Sequence, residues 1–108
     1  MKVESEEKLV QLINRSEAIL VYFYSDHCPP CLSLRPKVQR MMEEEFPRME
    51  LAFIDAESQT SLAADYNAFA LPVLVFFFEG REYLRFSKYV SISELKESVG
   101  RIYELYYN

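Results

Sequence analysis

The chain has 108 residues, half of them apolar, a formal charge of −5, eight Tyr, eight Phe and no Trp. That length fits one compact domain over residues 1–108 and is too short for two, and the apolar share supplies a core without metals or disulfide staples, which excludes a disordered chain. An acidic balance with no basic cluster excludes nucleic acid or an anionic membrane surface as the main partner.

In chain order, the first element is a helix over residues 5–15, with Leu9, Leu12 and Ile13 on one face and acidic residues in its first turn. Ala18 to Tyr24 is a continuous apolar, β-branched and aromatic run, the pattern of a strand covered on both faces. Ser25-Asp26-His27 ends it. After Cys28-Pro29-Pro30-Cys31, the helical spacing of Leu34, Val38, Met41, Met42 and Phe46 predicts a helix over about 29–46. Pro36 lies inside it and is expected to kink it.

Residues 50–55 read as a short strand, and Leu62, Ala63 and Tyr66 as a short helix after Ser58. Val73 to Phe78 and Arg81 to Ser87 are two strands around a Glu79-Gly80 turn, the spacing of an antiparallel hairpin. Ser91-Ile92-Ser93-Glu94 is a capping box that opens a last helix, with Ile92, Leu95, Val99, Ile102 and Tyr106 toward the core. Tyr103, Tyr106 and Tyr107 are expected at the core edge and in a frayed tail. The order α-β-α-β-α-β-β-α predicts an α/β fold with one mixed sheet: a parallel strand–helix–strand half and a hairpin half.

Both cysteines fall within four residues, so no disulfide framework is possible. A thiolate at a helix N-terminus is stabilised by the helix field, and two intervening residues let a second thiol reach the first. The motif alone also fits part of a metal site. With only His27 nearby, however, it falls short of the four ligands that structural zinc takes, unless two chains share a cluster or a soft Cu(I) ion. No cofactor and no metal are expected. The N-terminus has no apolar signal core and no run approaches a membrane span, so a cytoplasmic protein is expected; a monomer is expected as well.

A strand ending in Cys-x-x-Cys that opens a proline-containing helix, then Leu71-Pro72 before a third strand, then a Gly hairpin, resembles thioredoxin. The match runs from Ala18 to about Leu105. It implies a thioredoxin fold whose mixed sheet here has four strands, the first family strand being short or missing. It implies that Cys28 attacks a substrate disulfide and that Cys31 resolves the mixed disulfide. Pro29 and Pro30 then support the pair, and Pro72 is the cis-proline facing it. His27, Leu32 and Leu71 border the substrate, with the Leu71 backbone offered to an extended peptide. Protein disulfides are the implied substrates, and a recycling reductase or dithiol donor the implied partner.

The departures are specific. Pro29 stands where the family has Gly, which removes one potential N–H donor to the Cys28 thiolate. The family's buried acid maps to Tyr22 and its partner lysine to Phe53. The tryptophan before the first cysteine is His27, and a groove glycine is Lys88. Two functions remain open: a protein-disulfide oxidoreductase, and a thioredoxin-like peptide-binding module with little redox turnover, favoured by the missing acid.

Overall fold

The computed structural model describes residues 2–107. Eight elements follow in order: α1 (Glu6–Arg15), β1 (Ala18–Tyr24), α2 (Pro29–Glu45), β2 (Glu50–Asp55), α3 (Thr60–Asp65), β3 (Val73–Phe78), β4 (Arg81–Ser87) and α4 (Ile92–Tyr107). One sheet holds the four strands in the order β2-β1-β3-β4. β1 runs parallel to β2 and antiparallel to β3, and β3 is antiparallel to β4.

Strand periodicity divides the core in two. Leu20, Tyr22, Tyr24, Leu74, Phe76 and Phe78 point to one face, where α2 and α4 cover them. Ile19, Val21, Phe23, Val73, Val75 and Phe77 point to the other, under α1 and α3. Every residue of β1 and β3 is therefore buried, which explains why both read as unbroken apolar runs. β4, at an edge, is mostly exposed and carries charge.

Local chemistry sets the element ends. Ser5 lies outside α1 and caps it, its hydroxyl accepting from Lys8 N. α2 stops at Glu45, with Phe46 as its C-cap, one residue before the expected end, and it continues through Pro36. Ser91 Oγ accepts from Glu94 N at the start of α4. Glu79 and Gly80 both have positive φ, 53° and 78°, as a two-residue hairpin turn requires. Among the described residues, the place of the family's first strand holds one parallel bridge, between Lys2 and Phe53. Beside it Val3 N donates to Phe53 O, and Gln59 Nε2 donates to Val3 O.

The C-terminal tyrosines are not a frayed tail. Tyr103 Oη accepts from Arg48 N, Tyr107 Oη donates to Arg48 O, and the Arg48 guanidinium lies 4.1 Å from the Tyr107 ring centre. α4 is thereby tied to the α2–β2 connection, a link between distant residues that no local pattern reveals. Among the described residues no helix is long and apolar enough to cross a membrane.

Candidate active site

Sheet register assembles the site. Phe23 at the end of β1 faces Val73 at the start of β3, so Leu71-Pro72 lies at the same sheet end as the chain leaving β1 toward Cys28. That chain turns at once, with Cys28 N donating to Ser25 O. Cys28 is then the N-cap of α2, and Pro29 and Pro30 occupy the first two helical positions. Proline is well suited there, because the N–H groups it lacks would have no intrahelical partner. The Cys31 N–H remains as a donor, 3.3 Å from Cys28 Sγ.

Cys28 and Cys31 are joined as a disulfide, with Cα atoms 5.3 Å apart. Their environments differ: Cys28 is partly exposed, whereas Cys31 is fully buried in the α2-side core. Pro29 and Pro30 are exposed beside them. Leu32 is 47% exposed one turn into α2 and offers an apolar surface next to the mouth. The Leu71–Pro72 peptide is cis. Pro72 is buried, Leu71 half-buried, and Lys88, at φ 60°, donates its N–H to the carbonyls of Ala70 and Pro72.

Beneath the pair stands Tyr22. It is fully buried, pairs with Phe53 across β1 and β2, and donates from its hydroxyl to Cys31 O at 2.8 Å. Burial pushes the phenol up to about 12, opposed by the nearby Arg35 charge. The hydroxyl therefore stays protonated in the physiological range and serves as a donor, not a base. Phe53 lies under the Arg35 guanidinium, 3.8 Å from its ring centre, and Tyr24 is 4.9 Å from the same group. The two positions of the paired acid and lysine are thus held by a hydrogen-bonded phenol, Tyr22, and a phenyl ring, Phe53, that lies under the Arg35 guanidinium.

Sequence reading passed over Arg35. Its signal was present, four residues after Cys31 on a helix facing an aromatic strand. Ser25 and Glu57 were also missed. His27 Nδ1 is 2.9 Å from Glu57 Oε1, Ser25 Oγ hydrogen-bonds to the same carboxylate, and His27 N donates to Ser25 Oγ. Glu57 comes from the loop after β2, so only the parallel pairing of β1 with β2 brings it here. Among the described residues no group of three or more His, Cys, Asp or Glu could hold a metal ion.

The thioredoxin family model matches residues 1–101. Thioredoxin-like protein YdfQ of Bacillus subtilis (strain 168) is 29% identical over 94 residues, 87% of this chain and 83% of that protein. Chloroplastic thioredoxin Y of Oryza sativa subsp. japonica is 31% identical over 90 residues, 82% of this chain and 54% of that protein, so the chain spans about half of that relative. The X-ray structure of Fasciola hepatica thioredoxin superposes with a TM-score of 0.75 at 35% identity, covering 88% of each chain. A four-stranded mixed sheet, a disulfide-forming pair at a helix start and these similarities agree: the chain belongs to the thioredoxin family. It has the thioredoxin fold and is, at that level, a thiol–disulfide oxidoreductase.

Proposed function

We propose that the protein exchanges disulfides with protein substrates, Cys28 attacking and Cys31 resolving. The observation that supports these roles is the asymmetry of the pair: Cys28 is partly exposed at the N-cap of α2 and accepts from the Cys31 N–H, while Cys31 is fully buried. In the reductive direction the Cys28 thiolate bonds one substrate sulfur and expels the other as a thiolate. Cys31 then gives up its proton, bonds Cys28 and expels the second substrate sulfur, so two electrons pass from the dithiol to the substrate. Leu32, Leu71 and His27 border the extended segment, and Pro72 shapes the loop that presents Leu71. A cytoplasmic setting, a monomeric state and recycling by a reductase or dithiol donor belong to the same reading.

At limiting alkylating agent, the reduced protein is expected to label at Cys28 with Cys31 protected, and Cys31→Ser to trap substrates as mixed disulfides through Cys28. Equal labelling of the two thiols overturns the assigned roles. Peptide binding without mixed disulfides or insulin reduction favours the interaction module, the reading that Tyr22 in place of a carboxylate supports.

A further inference from the structure

We propose that His27 is a positioning residue for Cys28: held by Glu57, its imidazolium offsets an acidic rim and lets the attacking thiol ionise. The inference rests on the exchange reading above and adds a group to it. Three tethers fix the loop that carries His27. Ser25, buried, hydrogen-bonds through its hydroxyl to Glu57. The same hydroxyl accepts from His27 N at 3.0 Å, and both Glu57 oxygens lie within 3.2 Å of His27 Nδ1. Because the Ser25 hydroxyl donates to the carboxylate and not to the imidazole, the trio is no hydrolytic nucleophile. What it does is hold an imidazole in one orientation next to Cys28.

The charged groups acting on that imidazole come from two segments: Glu57 and Asp55 from the end of β2 and the loop after it, and Asp26 from its own loop. All three are carboxylates, and with His27 and Ser58 they line one open recess. Cys28 follows His27 directly, so a thiolate formed there adds negative charge next to the residue on which these three carboxylates act. Consecutive Cα atoms are about 3.8 Å apart, so the imidazole charge and the Cys28 sulfur are carried on adjacent side chains. Glu57, chiefly through its hydrogen bond, raises the histidine above its ordinary value. Glu57 is in turn held below the usual carboxylate range, first by Ser25 and then by His27. The imidazole therefore keeps its positive charge further toward neutral pH than a free histidine. As pH rises through its titration the offsetting charge disappears, and ionisation of Cys28 becomes harder.

The test reads Cys28 ionisation and His27 titration directly, without any substrate. Taken at a spacing of ~7 Å for charges on adjacent side chains, two unit charges in water change an ionisation constant about threefold. In His27→Gln the pH midpoint of Cys28 alkylation should therefore rise by about half a pH unit. Because the His27 side chain is 83% exposed, this substitution leaves the core intact. His27→Lys should restore the low midpoint and remove the inflection that histidine titration imposes. His27 is the sole histidine, so one imidazole NMR signal reports it, and by linkage its midpoint should be higher in the reduced than in the oxidised protein. Glu57→Gln should lower that midpoint toward the ordinary histidine value. An alkylation midpoint unchanged in His27→Gln, or a histidine midpoint equal in both redox states, overturns the proposal. Neither result bears on whether the protein reduces protein disulfides, which insulin reduction by the wild type decides separately.

Discussion

At the scale of single residues, Tyr22 defines how this site differs from its family pattern. Its hydroxyl donates to a buried carbonyl in the first turn of α2. As a helical carbonyl that group also faces the Arg35 N–H one turn on, so Tyr22→Phe removes a second bond and does not orphan it. The expected cost is about 0.5–1.5 kcal/mol, read as a lower urea midpoint with an unchanged slope. The same residue bears on the resolving step. Burial disfavours the anionic form of a thiol, and a phenol pushed up to about 12 takes no proton from Cys31 near neutrality. Resolution of the mixed disulfide should then be slow near neutral pH and accelerate with pH. Tyr22→Asp should speed it at a stability cost of several kcal/mol. Stopped-flow resolution rates that are flat in pH and unchanged in Tyr22→Asp would show that water or another group takes the proton.

Among the elements, the β3–β4 hairpin carries the clearest local requirement. Gly80 sits at φ 78°, and an added Cβ there would meet Asn14 Oδ1 at 3.4 Å, an ordinary contact. Conformation alone then sets the cost of Gly80→Ala, about 1 kcal/mol, measurable by thermal unfolding with the active-site thiols unaffected. A larger loss would mean that the turn also packs against α1. The cap of α1 makes a comparable case. Ser5 accepts from Lys8 N, and Ser5→Ala should cost about 0.5–2 kcal/mol.

For the whole molecule, the charge network around His27 links stability to pH at both ends of a window. The histidine is raised in the folded state, so its contribution is complete below the ordinary value of 6.5 and fades as pH climbs through the folded value. Glu57 is lowered, so its contribution is present above 4.5 and is lost as pH falls through its folded value. Stability of the oxidised wild type relative to His27→Gln should therefore be greatest between these two titrations and converge outside them. A difference independent of pH would assign the effect of the substitution to packing. Because both side chains are exposed, added salt should shrink the difference as well.

Much of this molecule is legible along the chain. Continuous burial makes β1 and β3 unbroken apolar runs, Gly80 marks the hairpin, and the cysteine spacing at a helix start marks the redox pair. These are local signals, because backbone conformation, strand periodicity and helix capping act over a few residues. What only tertiary structure decided depends on register between distant segments. Parallel pairing of β1 with β2 sets Phe53 against Tyr22 and carries Glu57 to His27. The α2-facing side of β1 sends the Tyr22 hydroxyl to Cys31 O, and α2 places Arg35 over Phe53. Docking of α4 brings Tyr103 and Tyr107 to Arg48, more than fifty residues away. Composition and spacing identify which groups can carry charge or hydrogen bonds. Which of them meet is settled only when the sheet closes and its two faces are covered.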